Sequence, residues 1–186
     1  MPDLRAPDSH QPTPGLELSI VAGMVLLAAL SRLLAHPWNF SPLEAMALFA
    51  GARITNRWFA LLVPLAALLV SDLFLGFYPD IWVVYACFAA MALAGRGLRR
   101  AGPSRIAAFG LGSALGFFAV TNFAVWAIGD MYPPTSAGLA ASYISALPFL
   151  QNQLAGVACY SLLLFGGYAL LQRGLAQTLG ERGRAS

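Results

Sequence analysis

Six apolar stretches divide this chain, and five of them are long enough to cross a bilayer. They occupy residues 16–34, 42–54, 58–76, 81–98, 106–128 and 154–171. About 20 helical residues cover the 30 Å hydrocarbon core of a membrane, because each residue adds 1.5 Å. In a solvent that cannot hydrogen-bond the backbone, such stretches fold as helices. The second is too short to span upright, so it is expected to be tilted, shielded by protein or extended past Arg53. Composition agrees: 59% of the 186 residues are apolar and 10% are charged, and the mean hydropathy is +0.69. Soluble domains run nearer 45–50% and about 25%. The expected fold is an all-α integral membrane bundle of six helices with a short second helix. Residues 1–15 form a disordered, Pro-rich cytoplasmic tail, residues 16–173 one transmembrane domain, and residues 174–186 a second cytoplasmic tail.

Charge sets the orientation. All eleven basic side chains other than histidine are arginines, and ten of them fall in the tails and even-numbered loops. Only Arg32 lies on the other side. Positive residues mark the cytoplasmic face, which places both termini inside a multi-pass protein of the cytoplasmic membrane. The net charge of +3 thus reflects topology, and no nucleic-acid partner is implied. Cys87 and Cys159 lie within apolar runs, so no disulfide framework is expected.

The polar and aromatic features gather on the opposite, external face. His36 and the turn at Trp38, Asn39 and Phe40 follow the first helix, and Asp72 lies about 6 Å inside the outer end of the third. The connector 121–157 carries Asn122, Trp126, Tyr132, Tyr143 and Asn152 with the pair Pro133-Pro134. It is too apolar for a solvated coil. It is expected as a structured external loop that caps a ligand site, with residues 136–147 forming a short helix across the outer face and Pro148 resetting the chain for the sixth span. Two roles suit Asp72, a ligand contact or a clamp between helix and loop, set against an interfacial carboxylate that reaches the headgroups. His36 joins the candidates for its location and its titration near neutral pH. The aromatic residues would stack on a planar ligand or serve in the interfacial belt. Amides such as Asn122 and Asn152 need hydrogen-bond partners near apolar helices, from loop backbone or ligand. Gly112 and Gly116, like Ala47 and Gly51, have the small-xxx-small spacing of close helix packing.

Three stretches together, HPWNFSPLEAMALFAGARI at 36–54, LLVPLAALLVSDLFLGFYPD at 61–80, and TNFAVW…YPPT…GL…SY…ALPF…N at 121–152, carry a family likeness. The chain resembles a family of small bacterial six-helix membrane proteins similar to the S components of energy-coupling-factor (ECF) vitamin transporters. The resemblance implies an S-component-like bundle that captures a small nutrient on its outer face. It also implies an energising transmembrane and ATPase partner, which would dock at the cytoplasmic loop from Arg96 to Arg105. One related branch, the solitary cobalamin transporters, implies His36, Asp72 and Tyr85 as contacts and Cys87 as a cobalt ligand if a corrinoid is the cargo. Against that role, Cys87 also suits a small core position, and Tyr85 two residues earlier points to the far side of the helix. Neither H-E-x-x-H nor G-x-S-x-G nor a Walker A motif is present, so the chain is not expected to be an enzyme. A structural or assembly protein without a small ligand is the competing expectation.

Overall fold

A computed structural model describes residues 14–34, 37–170, 172–174 and 177. The expectations for His36, for most of the N-terminal tail and for most of the C-terminal tail fall outside these residues. Six α-helices are present, and no strand occurs among the described residues: α1 Pro14–Leu33, α2 Leu43–Arg53, α3 Arg57–Leu75, α4 Ile81–Gly95, α5 Pro103–Ile128 and α6 Ser136–Ser161. A 3₁₀ turn, Arg96–Leu98, extends α4, and a π-helical turn, Leu162–Gly166, carries α6 onward. Four helical segments are long and apolar enough to cross a membrane: Arg57–Leu75, Ile81–Leu98, Pro103–Ile128 and Ser136–Gly174. Exposed leucines such as Leu27, Leu69, Leu73, Leu111 and Leu162 face outward from the bundle, a surface suited to lipid.

Local chemistry sets the helix ends. The Asn56 side chain accepts from Trp58 N at 2.9 Å and starts α3. Pro103 stands in the first turn of α5, where its missing N–H costs nothing. Thr135 accepts from Gly138 N at 3.1 Å and starts α6. At the other end of α3 the chain turns through Gly76 at φ 95°, a conformation that a side chain resists.

The short helix α2 is the core. Leu43 to Leu48 and Ala50 to Ala52 are all buried, so α2 has no outward face. It packs on α3, α4, α5 and α6 and touches α1, and its Phe49 ring meets Phe165 edge-on at 5.2 Å. Shielding by protein, one of the three expected explanations for its length, is the one found. Around it α1 lies on α3, and α6 lies on α5. Among the described residues α1 has no extended packing against α5 or α6. The ring is therefore two leaves, α1–α3–α4 and α5–α6, joined through α2 and through a contact between α4 and α5.

The connector differs from its expected form. Residues 136–147 are not a separate helix across the face, and Pro148 does not reset the chain. Both belong to α6, which runs without a break through Pro148. The loop that remains is Gly129 to Thr135. The physical reason is the spacing of Gly138, Ser142 and Ala146, all buried. Four residues apart, they form a stripe of small side chains: Gly138 admits the Pro133 carbonyl of the loop, which a Cβ would overlap, and Ser142 meets α5. The contacts follow it: Ser142 Oγ donates to Asn122 O at 2.9 Å and Tyr143 OH to Ala119 O at 2.7 Å. Pro148 is exposed, and a helix supported along one side tolerates the one bond it omits.

Candidate functional site

The arginines of the loops converge on one end. Arg53 Nη1 donates to Arg99 O at 3.2 Å, and Arg99 Nη2 donates to Thr55 O at 3.2 Å and Ile54 O at 3.4 Å. At the other end Arg32, Asp72, Asp80 and Asp130 lie at helix ends or between helices. These are called here the arginine-rich end and the acidic end.

Because α2 has only eleven residues, it is about 16 Å long and rises from the arginine-rich end to roughly mid-bundle. Its first turn is fixed there by Gln153, whose Nε2 donates to Glu44 Oε1 at 2.5 Å and to Ala114 O at 3.3 Å. Ala114 lies about 17 Å from the start of α5 and about 21 Å from its end. The chain between α1 and α2 must therefore dip from the acidic end to that depth. It does so against α6. Asn152 Nδ2 donates to Trp38 O at 3.0 Å, and the Phe40 ring sits 5.6 Å from that of Tyr160. A Cβ on Gly156 would stand 3.2 Å from Ser41 N, so the turn packs closely against the bare backbone there. Asn39, at φ 63°, bends it, and Trp38 is 77% exposed.

This re-entrant turn is non-helical backbone level with the middle of α5 and α6. In a bilayer such backbone persists only where protein or water surrounds it. Directly beneath it lies Glu44, whose Oε2 is buried and has no hydrogen-bond partner among the described residues. Buried carboxyls of this kind are uncommon in membrane segments and mark functional positions by default.

A second polar group ties the acidic end together. Asp72, 1% exposed, receives Arg32 Nη1 on Oδ1 at 2.6 Å and Tyr85 OH on Oδ2 at 3.0 Å. Arg32 also reaches Ser71 Oγ at 2.5 Å and Leu68 O at 3.4 Å. Helices α1, α3 and α4 are thus joined at one carboxylate, the geometry of a clamp between helices. The nearby Tyr78 phenol, in the loop after α3, is pushed above its ordinary value of 10.0 by partial burial and then by the Asp72 charge.

The candidate residues fall into separate groups. Asp72 and Tyr85 share the clamp. Asn39 lies in the re-entrant turn, and Asn152 reaches it through Trp38 O. Asn122, Trp126, Tyr132 and Tyr143 belong to the α5–α6 hairpin, where Asn122 Nδ2 donates to Phe118 O at 2.8 Å and Trp126 Nε1 to Pro133 O at 3.0 Å. Cys87 is half-buried in a groove of about 440 Å³ between α4 and α5, beside Met91, Gly112, Gly116 and Phe117. It faces away from the clamp that holds Tyr85, as their two-residue offset requires. No cluster of three metal-ligating side chains occurs among the described residues. Gly112 and Gly116 line the same groove with nothing within 4 Å of a Cβ, so they do not form the close helix contact that their spacing suggests.

Four residues central to this geometry escaped the candidate set: Arg32, Ser71, Glu44 and Gln153. For Arg32 the signal was available, a lone cation opposite an intramembrane acid. Glu44 was hidden, because an acid in the first turn of a helix is ordinarily explained by the helix dipole.

The model of a family of unknown function, DUF6580, matches residues 13–178, and the chain belongs to that family. No curated protein matches it, and no solved structure does.

Proposed function

We propose that this DUF6580 member captures a small, vitamin-like nutrient at the acidic end and carries it across the bacterial cytoplasmic membrane. The observation that carries this is the re-entrant turn. A polar, aromatic segment with Asn39 and Trp38 exposed lies near mid-bundle, where α1 has no extended packing against α5 or α6 among the described residues. Such a turn suits the floor of a water-filled recess, with Trp38 offering a face for stacking and Asn39 and Asn152 offering amides. The likeness to S components, which bind their cargo on the outer side, supports the same assignment. So does the arginine distribution, which directs the acidic end outward. An energising module would meet the arginine-rich end. A corrinoid would use Cys87 only by entering the α4–α5 groove, away from the turn.

Single cysteines in a chain lacking Cys87 and Cys159 test the recess and the topology together. Asn39→Cys and Ser136→Cys are expected to react with a membrane-impermeant maleimide from outside intact cells, and Ser104→Cys only after lysis. Protection of Asn39→Cys by a compound from a vitamin panel would identify the cargo. An unreactive Asn39→Cys beside a reactive Ser136→Cys means a turn sealed in lipid or protein, which overturns the recess. If the label reacts but no small molecule protects it, the assembly role gains, with the exposed Phe74, Phe77 and Trp82 as its contact surface.

Asn152→Ala removes the bond that holds the turn to α6. A lost hydrogen bond of about 1 kcal/mol is expected to weaken ligand binding about fivefold while leaving the helices intact. Isothermal titration with the identified ligand measures this, and unchanged affinity would detach the turn from the site.

A further inference from the structure

A larger groove lies at the opposite end. It has a volume of about 620 Å³ and runs between the first half of α5 and the continuation of α6. Its walls are apolar: Ile106, Leu111, Val157, Leu162 and Phe165. The π-helical turn Leu162–Gly166 forms part of one wall, and such turns recur at functional sites. Measured along α6 from Leu154 to Arg173, the groove extends about 28 Å, longer than one hydrocarbon leaflet of about 15 Å.

The mouth is basic. Arg53 and Arg173 both line it. The Arg53 guanidinium carbon lies 4.4 Å from the centre of the Tyr168 ring, and its buried Nε has no partner among the described residues. Gly102 caps α5 without a side-chain hydrogen bond, so the positive end of that helix adds to the field at Pro103. Asp72, Asp80 and Asp130 belong to the acidic end, and no acid lines this groove among the described residues. An apolar trough with a basic rim matches an amphiphile whose head is an anion.

We propose that this groove holds one anionic phospholipid of the cytoplasmic leaflet, with its phosphate between Arg53 and Arg173 and an acyl chain along Leu162 and Phe165. A bilayer lipid is favoured over a soluble anion because most of the groove is apolar and its walls continue into the outward-facing leucines of α5 and α6. The site is distinct from the recess at the acidic end. It depends on the bilayer placement alone, so its failure would leave the nutrient site untouched.

The test is native mass spectrometry of the full chain in mild detergent, titrated with phosphatidylglycerol or phosphatidylcholine of identical acyl chains. One phosphatidylglycerol is expected to bind at least tenfold more tightly than phosphatidylcholine, the charge of two arginines at about fivefold each. Arg173→Gln should cost phosphatidylglycerol about fivefold and leave phosphatidylcholine unchanged. Ala107→Phe, which fills the groove from its exposed rim, should remove the bound lipid of either head. Arg100→Gln, exposed and outside the groove, should change binding less than twofold. Equal affinity for the two lipids would overturn the proposal, as would an Arg100→Gln loss equal to that of Arg173→Gln. Full displacement by glycerol 3-phosphate would also overturn it, by showing a site for a soluble anion.

Discussion

Gly51→Ala is expected to be the most damaging single-methyl change in this chain. Helices α2 and α4 cross where Gly51 faces Ala92 and Gly95 faces Leu48. A Cβ on Gly51 would overlap the Ala92 carbonyl oxygen, and one on Gly95 would overlap the Leu48 carbonyl. Both obstacles are backbone, so no rotamer change relieves them. Over-packing a core costs about 1–3 kcal/mol when side chains can shift, and more when main chains must part. Since α2 touches all five other helices, separating it from α4 also loosens its contacts with the rest. At about 2–4 °C per kcal/mol for a chain of this length, thermal unfolding in mild detergent should fall by about 10 °C or more. Gly112→Ala is the control. It has the same residue change in the same kind of motif but meets nothing within 4 Å. Its helix should gain up to about 1 kcal/mol in propensity, so a small rise in midpoint is expected. Equal losses in the two variants would mean that α2 and α4 do not cross as described.

The pair of glycine motifs also shows what a sequence of this kind discloses. Ala47-xxx-Gly51 and Gly112-xxx-Gly116 are equivalent as text. One meets a helix and the other lines an open groove, because spacing states that a face is narrow and not what stands opposite it. The six helices were legible from apolar run length, since lipid leaves the backbone few alternatives. The shielding of α2 was one of several explanations its length allowed, and only its complete burial selects among them. The extent of α6 was misread for a definite reason. Pro148 and the tyrosines around it resembled a structured loop, whereas the buried stripe of Gly138, Ser142 and Ala146 carried the stronger signal for a helix on α5. At the site, the turn 37–42 was legible as polar and aromatic, but its depth follows from where Gln153 meets Glu44, a contact between residues 109 apart in the chain. No local pattern encodes such a distance.

Arg32 and Asp72 give the second large effect, and they separate a clamp from a ligand contact. Arg32→Met removes the cation from a carboxylate that is 1% exposed and leaves Tyr85 as its one remaining side-chain partner among those described. Uncompensated buried charge costs about 3–5 kcal/mol, and Asp72→Leu should cost less because the remaining guanidinium is 19% exposed and can turn toward water. Joining the two changes removes both charges, so the double variant Arg32→Met with Asp72→Leu should recover most of the stability lost by Arg32→Met. A coupling of about 2 kcal/mol or more in a thermal or denaturant cycle is expected for a pair in direct contact. Additive losses would show that the two side chains do not meet. Function then decides the role. If Asp72 only ties α1, α3 and α4 together, the stable double variant should take up or bind the nutrient as the natural chain does. If Asp72 also touches the cargo, the double variant should be folded and inactive, while Tyr85→Phe, which deletes one hydroxyl from the same carboxylate, should bind with only a several-fold loss.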